Sequence, residues 1–134
     1  MALLIDTSVI VDVERGRDPS PALLEELGEG SAAVSSITAS ELLHGVHRAD
    51  SASRHERRRA FVEAILAALP VLCFDLDVAR VHARLWADLQ EQGAGIGAHD
   101  LIIASTAIHH GLTLLTGNER HFNRVPDLLV RSWP

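Results

Sequence analysis

Leu3-Leu4-Ile5-Asp6-Thr7-Ser8-Val9-Ile10 is the stretch that decides the fold. A short apolar run ends in a carboxylate and passes into two hydroxyl residues and renewed apolar spacing. Leu3–Asp6 reads as a strand and Ser8–Glu14 as a short helix. Two other acids hold comparable positions. Glu41 follows Ser35-Ser36-Ile37-Thr38 and opens Glu41-Leu42-Leu43; Asp100 opens Asp100-Leu101-Ile102-Ile103-Ala104. In an α/β fold, ligands bind at the carboxyl edge of the sheet, where strands give way to helices. Carboxylates gathered there repel one another and shift each other's pKa unless a cation neutralises them. A hard divalent metal is the simplest reason to assemble them.

Outward from these acids, short apolar runs alternate with helical periodicity. Ser20-Pro21 is a helix start, with Ser as N-cap and Pro at the first helical position, and that helix should end near Gly28–Gly30. Ala32–Ile37 reads as a second strand, and a helix runs from Thr38 to about Arg48. A longer helix covers 53–69, with Phe61, Val62, Ile65, Leu66 and Leu69 on one face. Val71–Phe74 reads as a third strand and Asp77–Gln92 as a helix ended by Gly93. After a Gly93–Gly97 loop, helix 99–110 is closed by Gly111. Leu112–Thr116 and Leu128–Val130 read as further strands, separated by a helical turn near Glu119–Phe122. Strands alternating with helices predict a parallel sheet covered on both faces, in a single domain spanning 1–134.

At 134 residues the chain is long enough for a real core, and 47% hydrophobic with 22% charged residues are ordinary globular values. The longest apolar run, Ala64 to Phe74, is interrupted by Pro70 and falls short of the ~20 residues that span a bilayer. Asp6 breaks the N-terminal apolar run and no basic residue precedes it, so a secretory signal is not expected. The single cysteine, Cys73, is expected in the core, and the lack of any internal disulfide fits a reducing cytoplasm. Net charge is −6, and all 12 basic residues are arginine. No lysine-dependent mechanism is open to the chain, and arginine is the better fork for phosphate.

Each acid also has a purely structural role open to it. Asp6 suits the N-cap of the helix after it. Thr38-Ala39-Ser40-Glu41 reads as a capping box, in which Glu41 reaches back to the Thr38 amide. Asp100 complements a helix dipole from the first turn. Phe74-Asp75-Leu76-Asp77 resembles the opening of haloacid-dehalogenase-type phosphatases, but those enzymes generally use a downstream lysine that this chain lacks. Asp75 or Asp77 is better read as an N-cap. None of the eight histidines forms a His-x-x-x-His pair with a helical glutamate. His44, His47 and His55 read as surface groups or as groups behind the ligands, so oxygen donors and Mg²⁺ or Mn²⁺ are favoured over zinc.

Four motifs in order carry a resemblance over almost the whole chain. They are Leu4-Ile5-Asp6-Thr7-Ser8-Val9-Ile10, Thr38-Ala39-Ser40-Glu41-Leu42-Leu43-His44-Gly45, Gly97-Ala98-His99-Asp100-Leu101-Ile102-Ile103-Ala104, and Leu114-Leu115-Thr116-Gly117-Asn118-Glu119-Arg120-His121-Phe122 with Val125-Pro126. The chain resembles PIN-domain ribonucleases, specifically the VapC-type toxins of bacterial toxin–antitoxin modules. The resemblance implies an α/β/α sandwich with a central, mainly parallel sheet of about five strands. It also implies a metal-dependent endoribonuclease that leaves a 5′-phosphate and a 3′-hydroxyl. Many relatives carry a fourth acid where this chain has Asn118 or His121. Asn118, Glu119 and His121 are the groups that bear on its replacement, and the number of ions depends on them.

The expected site is Asp6, Glu41 and Asp100 as metal ligands and catalytic groups, with Mg²⁺ as cofactor and Mn²⁺ as a substitute. Thr7, Ser8, Thr116, Asn118 and Glu119 are candidates to support them or to contact phosphate. Arg54, Arg57 and Arg58 share a helix face, and with Arg15 and Arg17 they are candidates to contact RNA or an antitoxin. The expected partners are an RNA substrate, a cognate antitoxin and a second copy of the chain, with no membrane. Leu42, Leu43 and Val46, or Phe61, Val62 and Ile65, are the faces offered for a homodimer. The alternatives are a PIN-fold module that binds RNA or a protein without cutting, and a metal-dependent DNA nuclease.

Overall fold

The structure, a computed structural model, describes residues 2–16 and 30–133, so the helix expected after Ser20 and the candidate Arg17 lie outside the described residues. β1 (Leu3–Ile5) lies at the centre of a five-stranded sheet. β2 (Ala32–Ser35) and β4 (Thr113–Thr116) flank it, and β3 (Val71–Leu72) and β5 (Val130–Ser132) form the two edges. Every pairing is parallel.

Strand side chains point alternately to opposite faces, and the three inner strands use this to build two cores. Leu3, Ile5, Ala32, Val34 and Leu115 face one core; Leu4, Ala33 and Leu114 face the other. The first is covered by α1 (Thr7–Glu14), α2 (Ser36–His47) and α3 (Ala52–Ala68), through Val9, Ile10, Leu42, Val46 and Val62. The second is covered by α4 (Leu76–Glu91), α5 (Ala98–His110) and α6 (Glu119–Phe122), through Leu85, Leu89, Leu101, Ile103, Ala104 and Phe122. The α/β/α sandwich expected from the alternation of elements is the observed architecture. No helix among the described residues is long and apolar enough to cross a membrane.

Local chemistry sets the helix ends. Asp75 caps α4 by accepting from the Val78 amide at 3.0 Å, which is the role favoured over phosphatase chemistry. Gly111 ends α5 at φ 65°, where a residue with a Cβ would be strained. β2 stops at Ser35 rather than Ile37, because the Ser35 hydroxyl accepts from the Thr38 amide at 3.1 Å and the helix starts at Ser36, two residues early.

Two expectations about packing are corrected. Cys73 is exposed, because β3 is a two-residue edge strand paired only with β2, and its run leaves Val71 and Phe74 in solvent as well. The last strand begins at Val130, which is registered against Leu114, and Leu129 projects into solvent. Leu42, Val46 and Val62 are buried in the monomer, with Leu43, Phe61 and Ile65 packed against them, so both faces offered for a dimer are used internally.

Leu114 is fully buried at the centre of the second core. Leu114→Ala should cost about 2–5 kcal/mol, read as a lower urea midpoint at unchanged slope. An unchanged midpoint would remove β4 from the core.

Candidate active site

Because all five strands run parallel, their carboxyl ends open on one edge. The register that pairs Ile5 with Leu115 brings Asp6, just past β1, beside Thr116 at the end of β4. Asp6 is only 3% exposed. Its Oδ1 accepts from the Thr7 amide at 2.9 Å, so it does cap α1. Its Oδ2 accepts from the Ser8 hydroxyl at 2.8 Å and the Thr116 hydroxyl at 2.7 Å. These donors are uncharged; they orient the carboxylate and leave its charge in place. The two hydroxyls also accept, Thr116 Oγ1 from the Asn118 amide at 2.9 Å and Ser8 Oγ from the Gly117 amide at 3.1 Å. The loop after β4 is therefore tied to Asp6 through Ser8 and Thr116.

Glu41 reaches the same edge from α2. The capping-box reading does not hold, since Ser35 is the N-cap and takes the Thr38 amide. Glu41 Oε1 instead accepts from the Thr7 hydroxyl at 2.8 Å, and its Oε2 lies 3.4 Å from His99 Nδ1. Thr7, held through its own amide by Asp6, thus joins two of the acids. Asp100 stands in the first turn of α5. Burial raises its pKa above the ordinary carboxylate range, and the charge of Asp6 adds to the rise; His121, with Nδ1 3.7 Å from Asp100 Oδ2, opposes it, while Glu41 adds a smaller push upward.

Asp6, Glu41 and Asp100 line one cavity of about 350 Å³, together with Thr7, Ser8, Asp12, Arg15 and Asn118. Among the described residues, no group of three or more His, Cys, Asp or Glu side chains is placed to hold a metal ion as they stand. Glu41 accounts for part of this, as its two oxygens engage Thr7 and His99. The donor set nevertheless suits a hard divalent cation. It is made of oxygens, and a bound cation would offset both the burial and the repulsion from Asp6 that raise the pKa of Asp100.

The other candidates divide. Asn118 lines the acid cavity, and His121 stands beside Asp100. Glu119 is turned away, accepting from the Ser132 hydroxyl at 3.0 Å on β5. Arg15 lines the acid cavity. Arg54, Arg57 and Arg58 line a separate hollow of about 390 Å³ with Glu14 and Phe61. Their mutual repulsion is partly relieved within the chain. Arg54 is 3.1 Å from Asp50, and Arg58 donates to the Gly45 carbonyl at 2.9 Å with its Nε 3.6 Å from Glu14. A smaller hollow, lined in part by Thr7, Arg15, Glu41 and Arg58, joins the arginine hollow to the acid cavity.

Sequence reasoning missed Asp12 and His99. Asp12 is four residues after Ser8 on α1 and accepts from the Trp133 indole at 3.1 Å. Helical spacing from Ser8 was the signal that could have found it. His99 precedes Asp100, and nothing in the sequence says that it turns toward Glu41.

Known proteins share this sequence pattern and fold. The PIN domain family model matches residues 3–128. Ribonuclease VapC1 of Rickettsia felis is 38% identical over 97% of this chain and 95% of its own length. Among solved structures, VapBC2 from Rickettsia felis bound to a DNA fragment from its promoter superposes with a TM-score of 0.90 at 29% identity, covering 100% of both chains. VapBC-5 from Mycobacterium tuberculosis, a member of the VapBC family of toxin–antitoxin systems, gives 0.78 at 27% identity over 99% of this chain and 98% of that one. The chain belongs to the PIN-domain family, among the VapC ribonucleases.

The raised pKa of Asp100 fixes a sign. A carboxyl whose proton affinity is raised by folding stabilises the fold at low pH, and that contribution is lost as pH rises through the raised value. In EDTA at neutral pH, Asp100→Asn should therefore melt a few degrees above the wild type, with the difference vanishing in acid. Mg²⁺ should raise the melting temperature of the wild type more than that of the variant. A variant that melts lower at neutral pH would contradict the repulsion.

Proposed function

We propose that the chain is the toxin of a toxin–antitoxin pair, an endoribonuclease that cuts RNA at a divalent-metal centre held by Asp6, Glu41 and Asp100. The observation that carries this reading is the shared cavity: three acids from three separate segments face one space at the carboxyl edge of the sheet. Mg²⁺ fits the oxygen donors, with Mn²⁺ as a substitute. When bound, such an ion supplies Lewis-acid polarisation of a phosphoryl oxygen and makes a water easier to deprotonate. Asp6 supplies a fixed carboxylate whose orientation is set by Thr7, Ser8 and Thr116. Asp100 and Glu41 supply the adjustable ones, and one of the three accepts the proton of the attacking water as general base. Asn118 offers a side-chain carbonyl where many relatives have an acid, which lowers the charge available to a second ion.

Arg15 and the hollow of Arg54, Arg57 and Arg58 extend the site along α1 and α3. Their chemistry suits RNA phosphate or an acidic stretch of the antitoxin. The antitoxin is supported by the toxin–antitoxin assemblies among the chain's structural relatives. Homodimerisation remains part of the reading, through surface other than the two faces already used in the core. A cytoplasmic location is part of this reading, supported by a chain whose single cysteine can form no internal disulfide. The competing reading is a module that binds RNA or a partner without cutting, and the missing fourth acid is what favours it.

Purified free of antitoxin, the protein should cut a structured RNA in Mg²⁺ or Mn²⁺ and stop in EDTA. Asp100→Asn should abolish cleavage while the fold is retained; Asp6→Asn should abolish it too but also lower stability, because an amide nitrogen cannot accept from Ser8 and Thr116 as Asp6 Oδ2 does. Glu41→Gln should lower activity with little change in stability, because the helix cap belongs to Ser35. Thr116→Ala should lose roughly 10- to 100-fold, as expected for a group that orients a ligand. Full cleavage by Asp100→Asn would overturn the metal-centre reading. RNA retained uncut by the wild type in Mg²⁺ would favour the binding module.

A further inference from the structure

A second cavity, of about 520 Å³, opens between α4, α5 and the loop 93–97. Its walls include His82, Trp86, Leu89, Gln90, Ile96 and Leu101. Trp86 is 54% exposed although it is one of only two tryptophans in the chain. Its ring continues a row on the surface. Phe74 meets His82 edge-on at 5.4 Å between centroids, and His82 meets Trp86 at 5.8 Å. Exposed Phe74 and Trp86, with half-buried His82 between them, offer aromatic faces beside the cavity on which a base can stack, and the Gln90 amide adds a donor and an acceptor at its side.

The position of this cavity says what it takes. A neighbouring hollow of about 330 Å³ is lined by Gly95, Ile96, Gly97, Asp100, His121 and Arg124. The two share Gly95 and Ile96 as a common wall. Arg124 is fixed on that wall, donating from Nη1 to the Gly95 carbonyl at 2.8 Å, and a guanidinium has four further N–H donors. The surface thus runs from an aromatic cavity, over an arginine, to a carboxylate of the acid site.

We infer that the cavity at Trp86 is a nucleobase subsite for the RNA strand being cut. One unstacked base lies on the Trp86 ring with Gln90 at its edge, while Arg124 contacts the backbone between that base and the acids. RNA is read in this way, by splaying bases onto aromatic side chains and bonding their edges. A cavity of this size lies within the usual range of about 300–1,000 Å³ for small-ligand sites and is larger than a base requires. The inference rests on the endoribonuclease reading for its choice of ligand.

Two measurements test it. In cleavage of a structured RNA with Mg²⁺, Trp86→Ala should raise KM roughly tenfold with kcat nearly unchanged, and Trp86→Phe should recover most of the loss because it keeps a stacking face. In EDTA, where nothing is cut, a single-stranded RNA oligonucleotide should quench tryptophan emission in the wild type but not in Trp86→Ala. Trp133 is buried and should contribute little to the quenching. If the wild type cuts nothing yet the quenching is seen and lost with Trp86, the subsite stands and the endoribonuclease reading fails. Unchanged KM, or quenching that survives Trp86→Ala, overturns the subsite. So does light scattering in which Trp86→Ala converts a dimer to a monomer while RNA affinity is unchanged, since a second copy of the chain would then be what covers the rings.

Discussion

The carboxylate of Asp6 is the point around which the carboxyl edge of this sheet is organised. A charge taken this far out of water is tolerated only when it is hydrogen-bonded. Its donors come from the first helix, through Thr7 and Ser8, and from the end of β4, through Thr116. The same hydroxyls then hold the amides of Gly117 and Asn118. One buried acid therefore fixes the start of α1, the end of β4 and the loop that presents Asn118. Glu41 is drawn into the arrangement through Thr7, and Asp100 feels it as repulsion.

Two kinds of group meet at this edge. Asp6 is rigid, because its bonds are built into strand ends and a helix cap. Glu41 and Asp100 are half-buried, and each has a histidine near its outer oxygen: His99 at 3.4 Å and His121 at 3.7 Å. A site of this construction has one preorganised ligand and two that can turn toward a cation. The charge imbalance supplies the force for that turn, since like charges in a partly dry cavity repel more strongly than in water.

Much of this was legible in the sequence, and the exceptions have physical reasons. The inner strands were readable because full burial on both faces demands continuous apolar runs, and the acids were readable because they interrupt those runs. Thr7, Ser8 and Thr116 follow from the same motifs. Glu41 was open to two readings, because Thr-x-x-Glu is a sound capping box wherever Thr is the cap. A serine three residues earlier took the cap instead, and periodicity does not register that competition. Edge strands were the weakest point: Val71–Phe74 and Leu128–Val130 look like core strands, yet an edge pairs on one side only and can leave its apolar side chains in solvent. Glu119 could not be separated from Asn118 and His121 by position, because a four-residue helix sends neighbouring side chains in different directions. The ring row at Trp86 leaves no motif; Phe74, His82 and Trp86 stand together only once the helix is folded.

Diffraction from crystals grown with Mn²⁺ and free of antitoxin tests the central claim most directly. The account predicts an anomalous peak in the acid cavity, roughly 2 Å from carboxylate oxygens of both Asp6 and Asp100, with Glu41 turned toward it directly or through water. A well-ordered cavity with no peak at saturating Mn²⁺, or an ion held elsewhere while the three acids keep their present partners, would contradict it.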